Sequence, residues 1–190
     1  MEHSDGILVR LTKLTDTSLI VHWFTADAGL IKTVAKGARR PKSPFAGKLD
    51  LFFSSEVHWS RARRGELHAL REAEPHDCRE RIRRDYRSTL LASYFCRLLE
   101  TAVEREHPEP SLHDLLRRAL DHIDGSGASA RALGHFETEL ARLLGLGHER
   151  RRAAQALREA LGGLPGQRDQ ALQALADSAK NPFPDRSSGL

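Results

Sequence analysis

The spacing of the apolar residues changes near residue 78, and this change constrains the fold more than any other feature of the sequence. Up to about His76, apolar and polar residues alternate in short runs, as they do from Leu51 to Ser60. From Ile82 to Val103, apolar residues instead recur every three or four positions. Alternation is typical of half-buried strands, and the longer period is typical of amphipathic helices. The sequence therefore predicts an α+β chain in which a β domain precedes an all-α domain.

The N-terminal part contains five short runs with strand character, which are separated by turn residues. They cover residues 7–12, 19–25, 30–35, 51–60 and 66–74. A longer loop with Pro41, Pro44 and Gly47 separates the third run from the fourth. Five strands at this spacing indicate a small closed barrel such as the OB-fold, although an SH3-like barrel has a similar number of strands.

The C-terminal part contains five helical patterns. The first begins near Ile82, is about seven turns long, and ends at His107-Pro108, since the residue before a proline disfavours the helical conformation. The second begins at Ser111 with a capping-box-like pattern. The remaining three cover residues 133–144, 148–161 and 167–179. We therefore divide the chain into an OB-fold domain (1–78), a helical domain (79–180) and a flexible tail (181–190).

Composition and motifs narrow the class of protein. No apolar run is long enough to span a bilayer and the N-terminus has no signal-peptide pattern, so we expect a cytoplasmic protein. Cys78 and Cys96 are far apart, whereas a zinc ribbon needs four ligands in close pairs, so we expect no bound metal. No phosphate-binding, hydrolase or metalloprotease motif is present, and we expect neither catalysis nor a cofactor.

Positive charge is concentrated between residues 32 and 64. The whole chain carries only +4, but this stretch holds nine basic residues against Asp50 and Glu56, a net charge of +7. In an OB barrel, nucleic acid contacts strands two and three and the loops that join strands one to two and four to five. Basic side chains at such positions neutralise phosphates and release counterions. We therefore expect DNA contacts from Lys32, Lys36, Arg39, Arg40, Lys42, Lys48, Arg61, Arg63 and Arg64.

Aromatic residues near this stretch are candidates for base stacking, which proteins that bind single strands without sequence preference commonly use. Phe45 lies within the basic loop and is the strongest candidate, followed by Trp23. Trp23 and Trp59 both fall in predicted strands, so either could equally belong to the barrel core.

The residues alone leave other interpretations open. The basic loop could be a solvated surface, the contact of an RNA- or ribosome-associated OB protein, or a scaffold surface for an acidic protein. A second basic group runs from Arg79 to Arg87, and Arg150-Arg151-Arg152 forms a weaker third group.

The basic loop also carries a family resemblance. The stretch Val34-Ala35-Lys36-Gly37-Ala38-Arg39-Arg40-Pro41-Lys42-Ser43, continued by Phe45-Ala46-Gly47 and Leu49, resembles the signature of the bacterial recombination mediator RecO. Gly6-Ile7, the run 65–74 and Leu143-Leu144-Gly145-Leu146-Gly147 also resemble that family, so the resemblance covers residues 6–147.

The resemblance implies a DNA repair protein with an N-terminal OB-fold and a C-terminal helical domain. RecO proteins bind single- and double-stranded DNA and anneal complementary strands. With RecR they load RecA onto single strands covered by single-strand-binding protein (SSB), whose acidic C-terminal tail they bind through the helical domain. By motif match, Lys36, Arg39, Arg40 and Lys42 would contact DNA. Many RecO proteins carry a four-cysteine zinc module after the third bundle helix, but the stretch that begins at His148 has no cysteine here.

Overall fold

A computed structural model describes residues 1–147 and 152–180, which form a five-stranded barrel followed by six helices. The strands are β1 (Glu2–Lys13), β2 (Leu19–Thr25), β3 (Gly29–Ala35), β4 (Ser54–Ser60) and β5 (Leu67–Asp77). The helices are α1 (Glu80–Arg84), α2 (Tyr86–Ala102), α3 (Pro110–Ser126), α4 (Ala130–Leu143), α5 (Ala153–Leu161) and α6 (Gln167–Lys180). None of these helices is long and apolar enough to cross a membrane. The tail expected at 181–190 lies outside the described residues.

The barrel closes in the strand order β1-β2-β3-β5-β4. β3 and β5 pair in parallel, whereas the other neighbours, including the closing pair β1 and β4, are antiparallel. A closed five-stranded barrel with this strand order is an OB-fold. The predicted fold is therefore confirmed, and the SH3-like alternative is excluded.

The interior of the barrel is filled by inward-pointing residues, which alternate with outward-pointing ones along each strand as the sequence pattern predicts. Trp23 and Trp59 are its largest buried side chains, and the Trp23 Nε1 group donates to Thr33 Oγ1 over 3.0 Å. β4 begins three residues later than predicted. The predicted strand includes residues 51–53, but Phe52 has a positive φ of 70°, which turns the chain away from the direction of β4.

The outer face of β1–β3 is covered by the helices. Ile7, Phe24 and Leu30 belong to the same apolar core as the buried side chains of α2, α3 and α4. Because α2 is packed from both sides, most of its apolar residues are fully buried. The barrel and the helices therefore share one core across their junction.

Arg79 links the barrel to the helices at this junction. Its side chain is buried, and its Nη1 atom donates to the carbonyl oxygen of Phe52 over 2.6 Å and to Ser54 Oγ over 2.9 Å. Its Nε atom donates to Asp121 of α3 over 2.8 Å, and Asp77 lies 3.3 Å from its Nη2 atom. One guanidinium thus links the start of β4, the end of β5 and α3.

The first predicted helix is wrong at both ends. Asp85 is extended and its carboxylate accepts hydrogen bonds from the backbone N–H and the hydroxyl of Ser88, so it ends α1 and caps α2. α2 stops at Ala102 rather than at His107, because the chain after it joins the barrel: the Glu106 N–H donates to the Leu30 carbonyl over 3.1 Å. The capping box expected at Ser111 is also absent, since α3 begins one residue earlier at Pro110 without a side-chain cap.

Candidate nucleic-acid interface

The basic loop after β3 is held in place by backbone contacts to the loop between β1 and β2. The Arg39 N–H donates to the Thr17 carbonyl over 3.0 Å, and the Gly37 N–H donates to Ser18 Oγ over 3.2 Å. Gly37 has a positive φ of 71°, a conformation that glycine adopts without strain. Backbone N–H groups therefore fix the conformation of this loop, and these contacts do not engage its arginine and lysine side chains.

The loop between β4 and β5 lies at the other end of β3. It precedes Leu67, whose Cα partner in the parallel β3–β5 pairing is Lys32, while Lys36 follows the carboxyl end of β3. Lys36 is four residue steps beyond Lys32 along the chain, a distance of about 13 Å in extended conformation. The two basic loops therefore flank β3, with Lys32 between them.

The nine predicted DNA contacts divide into two groups by their ion pairs. Lys32 and Arg61 contact Glu66 and Glu2 at 4.0 Å and 2.6 Å, and Lys48 pairs with Glu74. Among the residues that the structure describes, the other six have no acidic partner and are exposed. These six, which we call the free loop cations, are Lys36, Arg39, Arg40, Lys42, Arg63 and Arg64.

The acidic residue of the loop between β4 and β5, Glu66, is already paired. Glu66 accepts a hydrogen bond from Arg105, and this contact holds the pKa of Glu66 below its usual range. The carboxylate therefore remains ionised and paired. The unpaired positive charge of the two loops therefore comes from the free loop cations.

Half of the usual OB ligand face is not available. Phe24 and Leu30 lie against the helices, and His22 Nδ1 lies 3.4 Å from Glu100 Oε1 of α2. The other half, with Lys32, Ile20 and Val34, is only partly buried and adjoins the basic loop after β3. Within the barrel, the surface left open to a ligand therefore consists of the loops and this half-face rather than the whole of β2 and β3.

The expected stacking residues need correction. Trp23 is fully buried in the barrel, Trp59 is 1% exposed, and Phe45 is 8% exposed because it folds back from its loop onto the same core. A base cannot stack on a ring that has no free face. Among the phenylalanine, tyrosine and tryptophan residues that the structure describes, Tyr86 alone is exposed, a fact that the sequence pattern does not reveal.

Four arginines of the second basic group have acidic partners within the protein. Arg79 is buried at the junction, Arg84 pairs with Glu80, and Arg87 pairs with Asp85. Arg83 pairs with Asp50 and lies over the ring of Phe53, 5.1 Å from its centroid. Of the third group, Arg150 and Arg151 lie outside the described residues.

A cavity of about 560 Å³, which the spacing of the sequence does not predict, opens between α2, α3 and α4. Its floor is apolar and includes the rings of Phe95 and Phe136, which stack with centroids 3.9 Å apart. Its rim carries two arginines and two histidines: Arg118, Arg131, His122 and His135. Such a cavity can take an apolar group while its rim attracts negative charge.

Within the described residues, no three histidine, cysteine or acidic side chains converge as metal ligands. Burial raises the pKa of the Cys96 thiol, which disfavours the thiolate that zinc requires. The described part of the chain does not fit a four-cysteine zinc module.

Comparison with known proteins places both parts of the chain in one family. The profile described as "Recombination protein O N terminal" matches residues 1–79, and that described as "Recombination protein O C terminal" matches residues 83–155. The chain is 36% identical over 143 residues to a DNA repair protein RecO of Rhodopirellula baltica, covering 74% of this chain and 52% of the relative. It is 31% identical over 147 residues to that of Listeria monocytogenes, covering 77% and 56%.

The chain thus spans about half the length of these curated relatives. The two profiles nevertheless follow one another along the barrel and the helices, in the order that the structure shows. The chain belongs to the RecO family of DNA repair proteins.

Proposed function

We propose that this protein binds single- and double-stranded DNA through its two basic loops and acts as a recombination mediator. The observation that carries the proposal is the set of free loop cations, six exposed basic side chains without acidic partners among the described residues, on an OB-fold of the RecO family. Cations that are not engaged within the protein can exchange their counterions for phosphates. On this proposal the protein acts on DNA in the bacterial cytoplasm by binding alone, without a catalytic step.

Salt dependence tests the assignment of the loops. Binding of a fluorescent single-stranded oligonucleotide, measured by anisotropy over a salt series, should weaken steeply as salt rises. Each lost phosphate contact lowers the slope of log affinity against log salt by about 0.7 for a single strand. Replacing Arg39 and Arg40 with alanine should therefore flatten the slope by about 1.4 and weaken binding to duplex and single strand alike.

A charge-matched control separates this contact from a general field effect. The double variant Arg142→Ala, Arg158→Ala also removes two positive charges, but from exposed positions on α4 and α5. It should leave the slope unchanged. Equal slopes for the loop variant and wild type would refute the loop contact, and a clear preference for RNA over DNA of the same sequence would refute the mediator role.

We further propose that the cavity between α2, α3 and α4 receives the acidic C-terminal tail of SSB. The apolar floor suits an apolar side chain, and the basic rim is complementary to carboxylates. Arg131 has no acidic partner among the described residues, so its charge is available to a ligand.

A labelled peptide of the SSB tail tests this second contact. Arg131→Glu should weaken peptide binding at least about tenfold, since it converts an attraction into a repulsion. Arg158→Glu, an equal charge reversal on exposed α5, should leave peptide binding within about twofold of wild type. Equal effects of the two variants would argue against the cavity.

Strand annealing should depend on both contacts in different ways. With complementary strands that carry a fluorophore and a quencher, Arg39→Ala with Arg40→Ala should slow annealing of naked and SSB-coated strands. Arg131→Glu should slow annealing only on coated strands. Addition of RecR and RecA to coated strands, with ATP hydrolysis by RecA as the readout, tests whether this chain supports RecA loading.

A further inference from the structure

Tyr86 has a large aromatic side chain that is exposed to solvent, and its neighbours in the sequence include several arginines. It is the first residue of α2 and is 72% exposed. An isolated exposed aromatic is ordinary on a protein surface and would carry no conclusion. The chain around it is not ordinary: within the segment 80–87, four arginines other than the buried Arg79 accompany only two acidic residues.

The acidic residues of this segment are occupied. Asp85 caps α2 through Ser88 and also pairs with Arg87, so that burial, which would raise the pKa of Asp85, is outweighed by these contacts and its pKa is lowered. Glu80 pairs with Arg84, whose side chain is still 75% exposed. The backbone N–H of Arg81 donates to Asp124 Oδ1 over 2.9 Å, while its exposed side chain forms no ion pair with a described residue. The surface formed by Tyr86 with Arg81, Arg83, Arg84 and Arg87, here called the junction surface, is therefore basic and has one open ring.

The junction surface contacts the end of the segment that also carries the basic loop of the barrel. Arg83 pairs with Asp50 and lies over the ring of Phe53, so α1 rests against the final residues of the segment that joins β3 to β4. The same segment carries Lys36, Arg39 and Arg40 near its start. The acidic residue at this contact, Asp50, is paired with Arg83, so the junction surface and the basic loop are connected through one segment in which that carboxylate is neutralised.

We propose that the junction surface is a second contact for unpaired DNA, with a base stacked on Tyr86 and the neighbouring arginines on its phosphates. This inference rests on the proposed DNA-binding function. Stacking needs an exposed aromatic face, and the phenylalanine and tryptophan rings of the barrel offer none, since Trp23, Phe45 and Trp59 are buried. Paired bases have no free face for Tyr86, so this contact would favour a single strand over a duplex.

Affinity for matched single-stranded and duplex oligonucleotides tests the proposal. Tyr86→Ala should weaken single-strand binding at least about fivefold, the lower end of what loss of a stacking aromatic costs. It should leave duplex affinity and the salt slope unchanged, since no charge is lost. Tyr86→Phe keeps the ring and should bind within about twofold of wild type. Tyr86→Leu serves as a second ring-free variant if the alanine variant melts below wild type.

Photochemical crosslinking gives an independent readout. A strand that carries 5-iododeoxyuridine should crosslink to the peptide that contains Tyr86, and this crosslink should be lost in Tyr86→Ala. If wild type binds DNA and the Arg39, Arg40 double variant weakens it while Tyr86→Ala does not, this inference is wrong and the proposed function stands. If wild type binds neither single strand nor duplex, the proposed function itself fails.

Discussion

Replacing Arg79 with methionine should strongly destabilise the fold, because this arginine holds the barrel and the helices together. Methionine keeps much of the apolar stem and removes the guanidinium. The change leaves the Phe52 carbonyl and the Ser54 hydroxyl without the donor that both now share. It also leaves Asp77 without its cation and Asp121 with Arg117 alone.

The magnitude follows from the burial of each partner. Removing one partner of a buried ion pair costs about 3–5 kcal/mol of unfolding free energy. The Arg79 side chain is 2% exposed, but Asp77 and Asp121 are 44% and 39% exposed and can regain water. We therefore expect the lower end, about 3 kcal/mol. With a urea m-value of about 2 kcal/mol/M, the midpoint of unfolding should fall by about 1.5 M.

Urea unfolding with two probes measures this effect. Tryptophan fluorescence reports the barrel, since Trp23 and Trp59 lie in its core, and far-ultraviolet circular dichroism reports mainly the helices. Arg81→Ala, an exposed neighbour, is the control and should change stability by less than about 0.5 kcal/mol. Asp121→Asn should destabilise wild type more than it destabilises the Arg79 variant, because the pair is already broken there. A midpoint for Arg79→Met equal to that of Arg81→Ala would refute the reasoning.

Two further predictions concern the same junction. Gly29→Ala should lower the free energy of unfolding by about 3 kcal/mol or more, since its φ is +68° and an added Cβ would lie 2.0 Å from the His107 carbonyl oxygen. The control is Gly47→Ala, where φ is +74° but the space is open, and it should cost only about 1 kcal/mol. Thermal melting of both variants checks this, and equal losses would contradict it. Burial lowers the pKa of His113 although Asp5 opposes it, so stability should fall as pH drops below the ordinary value of 6.5, because the unfolded chain takes up the proton first. His113→Gln should show a smaller change in urea midpoint between pH 7 and pH 5 than wild type, and an unchanged dependence would show that other groups are responsible.

Local periodicity was sufficient to predict the order and type of most elements. The β-branched and aromatic run 19–25 and the run 30–35 match β2 and β3 closely, since short runs of such residues between turn signals favour strands. The first helix was predicted less well, because Asp85 ends α1 through a local cap and the residues after Ala102 pair with a distant strand. A pairing with β3 leaves no trace in the spacing of residues 103–106.

For the candidate site, the sequence by itself determined where the positive charge lies along the chain and that two cationic loops flank a small barrel. Only the tertiary structure decided which of those charges remain available, since Lys48 and Arg61 meet Glu74 and Glu2 from other strands. It also decided that Phe45, the strongest stacking candidate in the sequence, is buried, and that Tyr86, which the sequence did not single out, is exposed. The physical reason is the same in each case: charge is a property of a residue, whereas burial and ion pairing depend on which distant residues the fold brings against it.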